Sequence, residues 1–210
     1  MLSILIASNN VHKHQELREI FAMHAVLDVE LLTPKMLGFD IDPEENADTY
    51  TGNALIKAKA FHGLIKNSPH NDFWVMADDS GLEVDALDGR PGLLSARYHK
   101  AAPNGDGCAE LLSEMRRTVR AVPDDQRTAR FRAVIAVILP DKTEHLFEGV
   151  CEGSIGHQKR GAGGFGFDPV FRVANDSRHL AELSSDEKHR ISHRGLAMQQ
   201  VIHDLFRRKV

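Results

Sequence analysis

The segment Ala77-Asp78-Asp79-Ser80-Gly81 sets two adjacent carboxylates directly after an apolar run, Phe73-Trp74-Val75-Met76-Ala77. The run reads as a buried strand, followed by a glycine and a second short strand. Carboxylates at the end of a buried strand are costly to desolvate unless a cation or hydrogen bonds compensate. A metal ion, a phosphate-bearing substrate held through that metal, or a water to be deprotonated would each do so. A solvated Asp-Asp-Ser-Gly turn between strands accounts for the same residues equally well.

Other segments carry chemistry of their own. Ser8-Asn9-Asn10-Val11-His12-Lys13 is a polar loop that runs from a strand into a helix. The unpaired amides of a helix N-terminus suit a phosphate, and Lys13 would add a point charge. The GxxxxGK[ST] pattern of a Walker loop is missing.

Gly161 to Gly166 formally matches GxGxxG. A dinucleotide fingerprint must open a helix, however, and the residue before Pro169 avoids the α region, so no helix is expected to start at Asp168. The glycines let backbone approach a ligand closely. Phe165 and Phe167 could stack on a planar ring or belong to the core; Phe171 reads as core.

The stretch Glu182-Leu183-Ser184-Ser185-Asp186-Glu187-Lys188 leads to Ile191-Ser192-His193-Arg194. Ser192 is a good N-cap, which makes His193 and Arg194 the first residues of a helix. Their donors could bond a keto oxygen or a phosphate. Lys188 alone reads more readily as surface charge. Glu44-Glu45 is an exposed acidic pair, or supplies a metal ligand if its loop folds over the paired Asp.

These segments need elements to position them. Strands are expected at Leu2–Ala7 and Val26–Leu32, with a helix from Val11 to His24 between them. Thr33 to Ala47 is a polar, acidic loop. A helix capped by Asp48 or Thr49 runs to about Asn67, with Ala54, Ala58, Phe61 and Ile65 as its apolar stripe and Asn53 and Lys57 at its rim. A hairpin turns at Asp88-Gly89. A helix spans Gly105 to about Val119. Strands Thr128–Leu139 and Thr143–Cys151 are joined at Pro140-Asp141. A last helix runs from Ser192 to Arg208, burying Ala197, Val201, Ile202 and Leu205. Interspersed helices and strands favour an α/β architecture.

The 210 residues carry a formal net charge of -4, which argues against general binding to nucleic acid but leaves room for a locally positive cleft. Cys108 and Cys151 form no CxxC pair, so a reducing compartment is expected. The apolar N-terminus is too short for a signal peptide or a membrane span, which points to the cytoplasm. The twelve histidines are scattered without ligand spacing and read mostly as surface residues.

Taken in order, SNNVHKHQE, EENADTYTGNALIKAKA, ADDSGLEVDALDGRPGLLSARY, GGFGFDPVF and AELSSDEKHRISHRGLA resemble the inosine triphosphate pyrophosphatase family, its bacterial members above all. The resemblance implies one domain over residues 1–210. Its fold would be a long mixed central sheet with flanking helices, in two lobes around a central active-site cleft. It implies hydrolysis of ITP, dITP or XTP to the monophosphate and pyrophosphate, dependence on Mg2+, and a homodimer. Related alternatives are a pyrophosphatase for other modified nucleotides and a nucleotide sensor without turnover.

By the same resemblance, Ser8, Asn9, Asn10, Val11, His12 and Lys13 hold the triphosphate, with Lys57. Asp79 is the general base and a metal ligand, and Glu45 a second metal ligand. Ser80 touches the substrate. Phe165, Gly166, Phe167 and Asp168 hold the base, and Lys188, His193 and Arg194 complete the site. Gly52 stands where many relatives have Glu, and Phe167 where Tyr is common.

Overall fold

The computed structural model describes residues 1–26, 28–118 and 122–207. Leu27 of the expected second strand, Val119 and Arg208 at the ends of two expected helices, lie outside the described residues.

The chain opens with β1 (Leu2–Ile6), α1 (Val11–Met23), β2 (Val29–Leu32) and α2 (Tyr50–Ile65). There follow β3 (Trp74–Val84), α3 (Ser95–Ala101), α4 (Gly107–Thr118), β4 (Thr128–Ile138) and β5 (Glu144–Ile155). It closes with β6 (Phe171–Val173), α5 (Ser185–Ile191) and α6 (His193–Val201), the last continuing as a π-helical segment, Ile202–Arg207. The strands form one sheet in the order β2-β1-β3-β4-β5-β6. β1 runs parallel to both β2 and β3, and β5 runs antiparallel to β6, so the sheet is mixed. The expected α/β fold, a mixed sheet with flanking helices, is what the chain adopts.

Two compact units share the chain: Met1–Asp79 with Ala133–Glu148 and Ala197–Val210, and Ser80–Arg132 with Gly149–Leu196. In the first unit, Leu17, Ile20 and Phe21 of α1 pack with Ile4, Trp74, Met76, Ile135, Val137 and Met198. In the second, Leu111 and Met115 of α4 pack with Leu82, Phe131, Cys151, Phe171 and Leu180. Each core is fed by the periodicity the sequence displays. The α2 stripe Ala54, Ala58, Phe61 and Ile65 is buried, as are Ala197, Val201, Ile202 and Leu205.

Several expectations change. β3 does not stop at Ala77; it runs unbroken through Asp78, Asp79, Ser80 and Gly81 to Val84, because partners for both carboxylates remove the need to reach solvent. Asp88 and Gly89 do turn, with φ of 52° and 79°, but only one isolated bridge, Glu83 to Pro91, follows, not a hairpin strand. A single 3-10 turn begins at Asp168 despite Pro169, closed by Val170 N–H donating to the Phe167 carbonyl. α3 and α5 have no counterpart among the expected elements. Of the twelve histidines, His179, His189 and His193 are buried and the other nine are exposed or half-buried, in line with mostly surface positions.

Candidate functional site

The first cluster belongs to the first unit. β3 alternates its side chains, so Asp78 and Asp79 point to opposite faces of the strand. Lys13 reaches Asp78 from the first turn of α1, with Nζ 3.1 Å from Oδ2. It is aimed there by Asn10, whose side-chain oxygen caps α1 by accepting from the His12 and Lys13 amides. Asp78 is therefore an ion-pair partner within a strand, not part of a solvated turn.

Lys57 reaches the other face. Its Nζ lies 3.3 Å from Asp79 Oδ1 and 2.9 Å from Glu45 Oε1. Glu44 is exposed, so Glu45 is the loop acid that enters the cluster. Lys57 and Asn53, expected at the rim of α2, are buried at 7% and 2% exposure. Asn53 lies one turn before Lys57, accepts the Ala47 amide at 3.0 Å and bonds Asp79, and so ties the acidic loop to the strand. Its four-residue spacing from Lys57 was the available sign of this role.

Gly52 allows the same loop to close. A Cβ there would lie 2.5 Å from the Ala47 Cβ, so a larger residue would push away the segment that carries Glu45.

The charges in this cluster are unequal. Burial pulls the Lys57 ammonium down, but Asp79, Asp78 and Glu45 together outweigh it and hold its pKa above the ordinary value. Burial pushes the Asp79 carboxyl up; Lys57 and Lys13 oppose that, and nearby Glu45 adds to it. Three carboxylates share two ammoniums, so the Lys57 ammonium gains while the crowded Asp79 carboxyl does not recover its hydration. Asp79 Oδ2 is buried with no hydrogen-bond partner among the described residues.

The second cluster belongs to the second unit. Lys188, read as surface charge, is buried with its Nζ 2.6 Å from Asp168 Oδ2. The capping box of Ser184 and Glu187 starts α5 and sets Lys188 on it. The same Asp168 oxygen accepts the Phe165 amide at 2.8 Å. Gly164, at φ +67°, makes room: a Cβ there would sit 2.0 Å from Asp168 Oδ2.

Phe165 is half-buried, with Lys188 Nζ 5.2 Å and Arg194 Cζ 5.7 Å from its ring centre. Arg194 is 1% exposed and donates to Ser80 Oγ at 3.1 Å. Ser192 caps α6 by accepting the Gly195 amide, which puts His193 and Arg194 in its first turn as expected. The His193 ring stacks on Phe131 at 4.8 Å and 11°.

The Phe167 ring is turned into the core against Tyr98 and His99, which leaves its backbone as the part facing the loop. Cys108, which the sequence reading passed over, donates its thiol to the Gly166 carbonyl at 3.2 Å. Burial pushes that thiol up to about 12, so it remains a donor.

The remaining expected phosphate residues cluster around the start of α1. Ser8 Oγ accepts the Asn10 amide, and Asn9 donates to the Ile41 carbonyl. Val11 and His12 are exposed. Among the described residues no three His, Cys, Asp or Glu side chains converge as a metal cage. No helix among them is long and apolar enough to cross a membrane.

Known proteins resemble this arrangement over nearly the whole chain. The model of the Ham1 family matches residues 4–204. The chain is 39% identical to the dITP/XTP pyrophosphatase of Clostridium perfringens over 96% of each protein. It is 41% identical to that of Porphyromonas gingivalis, again over 96% of each. A solved Ham1 protein from Coxiella burnetii superposes with a TM-score of 0.80 at 34% identity, covering 99% of this chain and 100% of that one.

Proposed function

The chain belongs to the Ham1 family, and on that premise we propose that it hydrolyses ITP, dITP and XTP, the non-standard purine nucleoside triphosphates, to the monophosphate and pyrophosphate. The observation that carries the reading is the buried acid–lysine cluster of Asp78, Asp79, Glu45, Lys13 and Lys57. Such a cluster is costly to bury and makes sense where an anion and its counter-ion must be handled.

Mg2+ is the cofactor of this reading. The residues fit it: Asp79 Oδ2 is a buried acceptor with no partner among the described residues, and Glu45 is the second carboxylate at hand. One or two carboxylates with waters and substrate phosphates are how Mg2+ is usually held, so a full protein cage is not required. When bound, it would neutralise phosphate charge and lower the pKa of a water.

The chain's own residues do the rest. Asp79 accepts the proton of the attacking water. Lys13 and Lys57 give up carboxylate contacts for phosphate oxygens, and the Ser8–His12 backbone adds amide donors at the start of α1. General-base assistance of this kind is typically worth about 10²–10⁴-fold.

The residues of the second unit recognise the base. Phe165 stacks on the purine. Arg194 and His193 donate to the 6-keto oxygen that hypoxanthine and xanthine carry and adenine lacks. Lys188 and Asp168 hold the Phe165 loop, and Ser80 orients Arg194. A buried donor left unpaired against adenine costs about 1–3 kcal/mol. On this reading the chain is a single domain over 1–210, working as a cytoplasmic homodimer without nucleic-acid partners.

The test is a panel of ITP, dITP, XTP, ATP and GTP with Mg2+, with products identified by phosphorus NMR. Pyrophosphate release from ITP, dITP and XTP is expected. Orthophosphate release would overturn the reaction, and preference for ATP would overturn the substrate assignment.

A further inference from the structure

The two carboxylates assigned to the metal already hold a cation, and it is the protein's own. Lys57 Nζ bridges Glu45 Oε1 at 2.9 Å and Asp79 Oδ1 at 3.3 Å. Its side chain is buried, at 7% exposure. A divalent ion shared by Glu45 and Asp79 would have to lie within a few ångströms of that ammonium. Like charges at such a separation, shielded from water, repel strongly.

The charge count of the cluster points the same way. Taking the five side chains Lys13, Lys57, Asp78, Asp79 and Glu45 by themselves, all ionised, the three carboxylates exceed the two ammoniums by one charge. A divalent ion added with Lys57 in place turns that deficit into an excess of positive charge. A triphosphate, arriving with the ion, supplies the negative charge that gives the Lys57 ammonium a new partner.

We infer that Lys57 is an internal competitor for the divalent cation. The ion binds weakly to the protein alone and tightly once a triphosphate draws Lys57 off Glu45 and Asp79. This rests on the metal and phosphate roles proposed above and adds an order to them: nucleotide and ion are taken up together. Asn53 and Gly52 sharpen the competition, since both keep Glu45 against Lys57.

The experiment measures Mn2+ binding to the nucleotide-free protein by the loss of the free-ion EPR signal. Lys57→Met and Lys57→Gln are expected to bind Mn2+ about tenfold or more tighter than the unmodified protein. Lys57→Arg, which keeps a cation, is expected to stay weak, and Lys57→Met with Glu45→Gln to lose the gain. Equal or weaker binding by both neutral variants overturns the inference.

A readout in the unmodified protein covers the case in which the variants do not fold. Titration with Mg2+, followed on the lysine ammonium NMR signals, is expected to shift Lys57 and leave Lys59 unmoved. An unmoved Lys57 signal at saturating Mg2+ overturns the inference. Turnover of ITP by the unmodified protein is measured separately. Turnover without the Lys57 effects removes only the competition, whereas absence of turnover removes the proposed function.

Discussion

The two clusters solve the burial of charge in different ways. In the first unit, Lys13 and Lys57 meet three carboxylates, Asp78, Asp79 and Glu45. In the second, Lys188 pairs with Asp168, whose same oxygen accepts the Phe165 amide, and the ammonium lies over the Phe165 ring. On the proposed function, a crowd of acids and ammoniums suits an exchange of partners with an incoming ion and phosphate, whereas a pair that braces a ring and an amide suits the holding of a flat base.

The sharpest way to break this division is Asp79→Asn, which keeps the size of the side chain and removes the base. Its kcat on ITP is expected to fall about 10²–10⁴-fold with the far-UV circular dichroism unchanged. A near-normal kcat would move the chemistry out of the first unit. Arg194→Ala is the matching change in the second. The kcat/KM ratio of ITP to ATP should shrink about tenfold, from the loss of a donor to the keto oxygen. Because Arg194 is fully buried the variant will also be less stable, but the ratio is unaffected by the fraction folded. An unchanged ratio would show that Arg194 does not read the base.

Gly52→Ala tests how closely the acidic loop is tied down. The added Cβ meets the Ala47 Cβ at 2.5 Å, and relief of that overlap should cost about 1–3 kcal/mol in urea unfolding. It should also loosen Glu45, read as a higher Mg2+ requirement. Unaltered stability and Mg2+ dependence would mean the loop yields freely.

The smallest effect is expected at Glu187, whose capping box sets α5 and so Lys188. Hydrogen bonds from Ser184 and the guanidinium of Arg178 hold its carboxyl down at about 2, against 4.5 ordinarily. The folded pKa is the lower one, so its stabilisation is complete above pH 4.5 and is lost as pH falls toward about 2. The melting-temperature gap between the protein and Glu187→Gln should close over that window. A gap that persists at pH 2 would mean the cap owes nothing to the charge.

Much of this arrangement was legible in the chain itself. The α2 stripe, the Asn10, Thr49 and Ser192 caps, the β4–β5 turn and the order of the motifs all rest on local spacing, and local spacing is what an unaligned sequence displays. Cys108 could not be read that way, because its contact with Gly166 spans 58 positions and a lone cysteine carries no pattern.

What the sequence determined was which residue types are available for chemistry and which faces of the helices turn inward. What only the tertiary structure decided was who pairs with whom. For Asp78 and Asp79 a solvated turn and a charge-compensated site were equally open. The chain runs on as a strand there because Lys13, 65 positions away, and Lys57, 22 positions away, arrive with compensating charge. Lys188 read as surface for the same reason in reverse: the cost of burying an ammonium depends on a partner, Asp168, that lies 20 positions earlier and is brought to it only by the fold.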